Sequence, residues 1–80
     1  MNQARKENAV RAGMAGRLLL QAFPHVRFTY CLDVYSVRFF WTNGPTERRV
    51  RDMLERNGYG NGVILLRDAQ RRPRYLQLVK

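Results

Sequence analysis

A stripe of apolar residues with helical spacing lies near the start of the chain. Its members recur every four residues, with one neighbour that widens it: Val10, Met14, Leu18, Ala22 and Leu19. This spacing predicts an amphipathic helix over residues 4–22 that buries the stripe against a core. Pro24 cannot continue a helix and favours an extended conformation at the residue before it, so the helix is expected to end there.

Two stretches of alternating apolar and polar residues follow this helix. The apolar positions are Val26, Phe28, Tyr30 and Leu32 in the first stretch, and Tyr35, Val37, Phe39 and Trp41 in the second. Alternation of this kind predicts β-strands over residues 26–32 and 35–41, each with one buried face. The link around Asp33 is short, so we expect the two strands to form an antiparallel hairpin with Arg27 and Arg38 on its other face.

A turn signal over residues 42–45 introduces a second helix. We expect Gly44 to be its N-cap and Pro45 its first residue, which places the Glu47 carboxylate in the first turn, where the helix dipole favours an anion. The Asn57-Gly58 pair predicts the end of the helix. Its core-facing residues are expected to be Val50, Met53 and Leu54.

Two further strands are predicted over residues 63–67 and 74–79, joined by a polar turn over residues 68–73. The element order is therefore αββαββ, in which a helix and a hairpin occur twice. This order predicts an α+β fold in a single domain over residues 1–80. The expected architecture is a two-layer sandwich, with a four-stranded antiparallel sheet that carries both helices on one face.

Composition supports a folded domain and removes several chemical classes. The chain has 80 residues, of which 45% are hydrophobic and nine are aromatic, so intrinsic disorder is not expected. A single cysteine and a single histidine exclude an intrachain disulfide and an ordinary zinc site. The longest apolar runs, over residues 18–20 and 63–66, are too short to span a bilayer, and we expect no membrane partner.

The N-terminal stretch has a second interpretation. Residues 1–23 carry arginines and few acids, as organelle transit peptides do. Their removal would leave a short remainder with one helix, so we favour the first helix of the domain.

A large positive charge is the strongest functional signal in the sequence. Fifteen lysines and arginines oppose six acids, which gives a formal net charge of +9 at pH 7. Such a charge attracts nucleic acid, ribonucleoprotein, acidic protein surfaces or anionic membranes. A simpler explanation is that the arginines keep a small protein soluble and reflect an arginine-rich genome.

The candidate partner-binding residues are arginines in three groups. Guanidinium groups pair with phosphate and carboxylate through two parallel hydrogen bonds, which suits them to both kinds of partner. The first group lies on the second helix, the second at the final hairpin, and the third on the outer sheet face: Arg48, Arg49, Arg51 and Arg56; Arg71, Arg72 and Arg74, with Arg67 in the same hairpin; Arg27 and Arg38. Phe40 and Tyr75 are further candidates for the outer sheet face, where they could stack on single-stranded bases.

No constellation of residues predicts catalysis. His25 and Cys31 have no partner at a spacing that would make a nucleophile and a base, so we expect a protein that is not an enzyme and needs no cofactor. The glycines at positions 58, 60 and 62 follow a helix and precede a strand. Dinucleotide-binding loops have the opposite order, so these glycines are expected to form a cap and a turn.

One segment resembles a known family. The runs Phe23-Pro24-His25-Val26-Arg27-Phe28 and Val37-Arg38-Phe39, the run Trp41-Thr42-Asn43-Gly44-Pro45-Thr46, and Val50 resemble the large polyvalent protein-associated domains of phages and mobile elements. The likeness covers about the first two thirds of the chain. Asn43 stands where that family usually has Asp, and the motif carries no catalytic residue that could be transferred.

The resemblance implies a setting for the protein. A small basic protein from a phage or mobile element is similar to the anti-CRISPR inhibitors, which act by binding. The expectation is a monomer in the cytoplasm of the bacterial host that binds a CRISPR effector ribonucleoprotein, or another acidic protein surface, and blocks recruitment of target DNA. The alternative is an accessory protein that binds DNA or RNA without sequence specificity. The CRISPR type, the molecule contacted and the arginine group used remain open.

Overall fold

Six elements follow one another in the predicted order. The computed structural model describes the backbone of residues 3–79 and the side chains of residues 7–79. The helices are α1 (Gln3–Ala22) and α2 (Glu47–Arg56), and the strands are β1 (Thr29–Leu32), β2 (Val37–Trp41), β3 (Val63–Arg67) and β4 (Gln77–Leu78). The α+β class is confirmed. Three of the strands are shorter than predicted or end at different residues, whereas β3 has the predicted bounds.

The sheet is mixed, not antiparallel, and its strand order is β3-β2-β1-β4. The predicted hairpin of β1 with β2 is present, and β4 lies antiparallel to β1 on its other side. β3 runs parallel to β2 over five residue pairs, from Val37 beside Val63 to Trp41 beside Arg67. The predicted antiparallel neighbour of β3 is therefore wrong, because α2 acts as a crossover that brings β3 back parallel to β2. The predicted hairpin of β3 with β4 is also wrong, because β4 pairs with β1 at the opposite edge.

A return segment, residues 68–76, carries the chain from β3 at one edge of the sheet to β4 at the other. Both helices pack on the sheet face that carries Phe39 and Trp41. Phe40 alternates with these residues and faces the opposite side, yet its side chain is only 1% exposed. Because both helices lie on the other face, non-helical parts of the chain cover Phe40. Phe40 is therefore unavailable for base stacking, whereas Tyr75 is 80% exposed.

Helix α1 packs through a different face from the one predicted. Val10 is 60% exposed and Met14 is 46% exposed, so the predicted stripe lies largely on the surface. The buried face consists of smaller residues and one leucine: Ala12, Ala15, Gly16 and Leu19. Small residues allow the helix to approach the sheet closely, and a Cβ added at Gly16 would lie 2.9 Å from Cγ1 of Val79. The close approach of α1 to the sheet therefore decides which face of the helix is buried, more than the size of its apolar side chains does.

Helix α2 has well-formed caps at both ends. Its N-cap is Thr46, not Gly44, and the Thr46 Oγ1 accepts a hydrogen bond of 3.2 Å from the backbone N–H of Arg49. The predicted C-terminal signal is confirmed, because Asn57 is the C-cap and Gly58 has a φ of 80°. The N–H groups of Gly58 and Tyr59 bond back to the carbonyls of residues 55 and 54, which completes a Schellman motif.

The Trp41-to-Thr46 run is a structural unit. Asn43 and Gly44 both adopt left-handed conformations, with φ values of 58° and 77°. The turn brings the carbonyl of Pro45 to 2.9 Å from the buried indole Nε1 of Trp41, which donates a hydrogen bond to it. The motif therefore joins the sheet to α2 and supplies a large core side chain.

We predict that Trp41→Phe lowers the free energy of unfolding by about 2–3 kcal/mol. The substitution leaves the buried Pro45 carbonyl without its donor and removes core volume. Urea unfolding followed by circular dichroism measures the change. Tyr75→Phe is the control, because it removes a hydroxyl group from an exposed ring and should change stability by less than about 0.5 kcal/mol. Equal unfolding midpoints for the two variants would contradict the proposed role of the indole N–H.

Candidate partner-binding surface

The ends of β2 and β3 are joined by an acidic side chain. Asp68 follows β3 in a left-handed conformation with a φ of 56°, and its backbone N–H donates to the carbonyl of Trp41 at 2.8 Å. Its Oδ1 accepts a 2.8 Å hydrogen bond from the backbone N–H of Asn43. This carboxylate therefore fixes the loop after β2 against the turn after β3.

Two further hydrogen bonds tie neighbouring segments to the same end of the sheet. The backbone N–H of Arg67 donates to Oε1 of Glu47 at 3.2 Å, which holds the start of α2 beside the end of β3. The Arg72 guanidinium donates to Oγ1 of Thr42 at 2.6 Å. The first part of the return segment therefore lies beside the loop after β2.

These contacts gather arginines from three groups at one end of the molecule, which we call the arginine end. It comprises Arg27, Arg48, Arg67, Arg71 and Arg72. Arg27 belongs here because its neighbour Val26 lies 3.1 Å from the position of a Cβ added at Gly44. All except Arg67 are exposed. Two carboxylates lie at this end, those of Glu47 and Asp68, and the Oδ2 of Asp68 is 3.7 Å from the Nε of Arg67. Because the five arginines outnumber the two carboxylates, the arginine end is positively charged.

Arg51 serves the fold and not the exposed surface. The N–H of Asp68 and the carbonyl of Gly62 bond to β2, so the intervening odd-numbered residues of β3 direct their backbone groups to the outer edge of the sheet. The Arg51 guanidinium donates to the carbonyl of Val63 at 2.9 Å and to that of Gly60 at 3.4 Å. It therefore occupies one end of this edge.

Glu47 makes a second contact with the β3 edge. It precedes Arg51 by one helical turn, and its bond to the N–H of Arg67 lies at the other end of the strand. One acid and one base on the same face of α2 thus satisfy an outward donor and an outward acceptor of β3. Edge groups capped in this way are less able to pair with another chain.

Arg38 is also held within the molecule. Its Nη2 lies 2.9 Å from Oδ2 of Asp33 in a half-exposed ion pair on the outer sheet face. Its Nε is buried under the cover of that face. The predicted site residues Arg38 and Arg51 thus differ from the other seven, which are exposed.

A groove of about 420 Å³ lies between the end of α1 and helix α2. Ala22, Phe23 and Met53 give it an apolar floor, and Arg49 and Arg56 lie along its side. The Arg49 guanidinium carbon stands 5.5 Å from the centre of the Phe23 ring, which is a cation–π distance. The ring restricts this arginine, so less side-chain entropy is lost when the arginine binds an anion.

Arg74 is the remaining predicted site residue, and it is exposed on the return segment. The structure therefore unites Arg27, Arg48, Arg71 and Arg72 at one end. It leaves Arg49 and Arg56 beside the groove on α2, and Arg74 closer to β4.

His25 and Cys31, for which the sequence predicts no catalytic role, lie in different environments. His25 is exposed in the turn after α1, and Cys31 is half-buried in β1, where its Sγ contacts the carbonyl of Leu32 at 3.7 Å. Among residues 7–79, no three histidine, cysteine, aspartate or glutamate side chains group as metal ligands would. Neither α1 nor α2, over the residues described, combines the length and the apolar character needed to cross a bilayer.

Asn8 is a structural residue that the sequence reasoning missed. Its side chain is buried, and its Nδ2 donates to the carbonyls of Asp33 at 2.8 Å and Val34 at 3.1 Å. It thereby fixes the turn between β1 and β2 to α1. Asn8 precedes Ala12 by four residues, so the two lie on the same, small-residue face of the helix. The stripe of larger apolar residues predicted a different buried face.

Comparison with known proteins gives no relatives. No protein-family model matches the chain, and no curated protein or solved structure is significantly similar to it.

We predict that Arg51→Met destabilises the fold by about 1–3 kcal/mol, because two carbonyls lose a charged donor. Arg48→Met is the matched control on the same helix. The Arg48 guanidinium has no hydrogen bond or ion pair with residues 7–79, so its loss should cost less than about 0.5 kcal/mol. Urea unfolding of both variants tests the difference, and similar midpoints would show that the edge contacts contribute little.

Proposed function

We propose that the protein is a non-enzymatic counter-defence inhibitor of the anti-CRISPR kind, which docks its arginine end on an acidic surface of a CRISPR effector complex. Bound there, it would block recruitment of target DNA in the cytoplasm of a bacterial host. The observation that carries the proposal is the convergence of Arg27, Arg48, Arg71 and Arg72, while the neighbouring carboxylates are bonded to backbone N–H groups.

The charge of this surface supports a role in binding. An excess of positive charge on a small protein accelerates encounter with an acidic partner, and arginine forks fix the orientation after contact. A stoichiometric inhibitor needs such a surface and needs no active site.

A protein surface fits better than nucleic acid as the direct contact. Single-stranded binding without sequence preference depends on exposed aromatic rings in a basic groove. Of the two candidate rings, Phe40 is buried and Tyr75 alone is exposed, while the ring of Phe23 lies under the Arg49 guanidinium. The groove beside α2 also carries Asp52 and an apolar floor, which suit a protein side chain better than a phosphate chain.

The family resemblance supports the setting. The Trp41-to-Thr46 run forms a turn, a helix cap and part of the core, so its residues explain a shared local fold and not a shared chemistry. A phage or mobile-element origin therefore fits the motif without requiring a conserved active site. The proposal rests on that setting together with the charge.

Co-elution with purified CRISPR effector complexes tests the proposal. The tagged protein is mixed with a panel of surveillance complexes, with and without nuclease treatment of unprotected nucleic acid, and target-DNA binding is then measured by gel shift. Co-elution that survives nuclease, with loss of the DNA shift, is the expected result. No co-elution and an unchanged DNA shift across the panel would refute it.

Salt dependence separates the alternative function. A nonspecific nucleic-acid binder should bind naked DNA or RNA with an affinity that falls steeply as salt rises, since each arginine–phosphate contact releases a counterion. Binding to naked nucleic acid that exceeds binding to every effector complex would favour this alternative.

We predict that neutralising the arginine end weakens partner binding more than neutralising arginines elsewhere. The test set is Arg48→Gln, Arg71→Gln and Arg72→Gln, and the control set is Arg17→Gln, Arg56→Gln and Arg74→Gln. Both sets remove three exposed arginines, so total charge changes equally and only location differs. The test set should raise Kd by about a hundredfold or more, and the control set by about tenfold or less. Equal losses would show that the whole charge, and not this end, governs binding.

A further inference from the structure

The β4 edge of the sheet presents unpaired backbone groups. The N–H of Val79 donates to the carbonyl of Phe28 at 3.1 Å, so Val79 and Gln77 direct their backbone groups toward β1. By the alternation of an antiparallel ladder, the N–H and C=O of Leu78 point away from β1. No part of the described chain pairs with this side of β4, and the Leu78 side chain is 48% exposed. At the opposite edge, Arg51 and Glu47 bond the outward carbonyl of Val63 and the outward N–H of Arg67, at the two ends of β3.

Two adjoining cavities follow this edge. The first, about 180 Å³, lies between α1 and β4 and is lined by Ala12, Gly13, Gly16, Tyr30, Leu78 and Val79. The second, about 300 Å³, continues along the same edge toward the start of β1. Its lining includes Leu20, Val26, His25 and Arg27, and it shares Leu78 and Val79 with the first cavity. Together they form one apolar groove beside a strand edge, which we call the edge groove.

We propose that the edge groove binds an extended, acidic segment of a partner protein by strand addition to β4. The segment's backbone would bond to the N–H and C=O of Leu78. Its alternate side chains, spaced by roughly 7 Å as in any strand, would enter the two cavities. An apolar side chain of the segment would fill the cavity beside Gly13, and a glutamate or aspartate of the same segment would form an ion pair with Arg27.

Charge selects this occupant over others. Arg27 lines the groove, and none of the described lining residues carries a carboxylate, so an acidic segment is complementary. A second copy of this chain would bring together two molecules of formal charge +9, which repel each other. Nucleic acid offers no strand backbone for β4 and gains nothing from the apolar walls. The edge groove shares Arg27 with the arginine end, but its strand edge and its apolar cavities lie outside that surface, so the peptide titration below tests it separately from the proposed function.

Gly13 provides a test that leaves the fold intact. A Cβ at this position meets no atom within 4 Å, so Gly13→Leu fills the groove without a clash and raises the helix propensity of α1. Gln21→Leu is the matched control, because Gln21 is an exposed residue of α1 that lines neither cavity. Both variants should unfold at urea concentrations no lower than the parent protein.

The probe is a synthetic octapeptide that alternates valine with glutamate, titrated into ¹⁵N-labelled protein at fixed salt. We expect the Leu78 amide to shift and to become protected from hydrogen exchange. Gly13→Leu should raise Kd about tenfold or more, and Gln21→Leu should leave it within about twofold. Leu78→Pro removes the outward N–H without touching the bond of Val79 to Phe28, and it should weaken binding by a similar factor.

Two control peptides separate strand addition from simple attraction of charge. A peptide alternating valine with lysine should not bind, and a valine–glutamate peptide interrupted by prolines should bind at least about tenfold more weakly. Equal binding of either control, or an unperturbed Leu78 amide at millimolar peptide, would overturn the proposal. So would a dimer of the protein alone that Leu78→Pro abolishes, since a second copy would then be the occupant.

Discussion

The parallel pairing of β2 with β3 is the constraint on which the rest of the molecule depends. α2 returns the chain to the side of β2, and the final strand takes the far edge of the sheet beside β1. The return segment therefore connects opposite edges of the sheet. The same crossover lays α2 along the β3 edge, where Glu47 and Arg51 bond to outward backbone groups. It also brings the ends of β2 and β3 together, where the arginine end lies.

The arginines divide into two populations that composition alone does not distinguish. Arg38 and Arg51 bond to groups within the domain, through an ion pair with Asp33 and through two carbonyls. Others, such as Arg48 and Arg71, stand at the surface. A formal charge of +9 therefore overstates the number of guanidinium groups that a partner can reach. The location of the exposed ones carries more information than their total.

The sequence predicts local structure here better than it predicts long-range structure. The Asn57-Gly58 cap, the β1–β2 hairpin and the bounds of β3 depend on neighbouring residues, and all three are present. The partner of β3 depends on the direction in which α2 returns, which no local pattern encodes. Side-chain size is a poor guide to the buried face of α1. Val10 and Met14 are larger than Ala12 and Gly16, but close packing of the helix against the sheet favours the smaller pair. For the candidate site, the sequence predicts that arginines form the binding surface. It does not predict that Arg51 bonds to the β3 edge while Arg48 stays exposed, because that difference depends on how α2 packs beside β3.

The contact of Gly16 with Val79 has a consequence for how the chain folds. These residues are more than sixty positions apart in sequence, yet a side chain on one would touch the other. A contact between residues so distant in sequence closes a large loop. The conformational entropy lost in closing that loop slows folding. The β1–β2 hairpin can form early from nearby residues, whereas the union of α1 with the last strand must wait for most of the structure. We therefore expect β4 to be the last element to fold and the first to exchange its amide hydrogens.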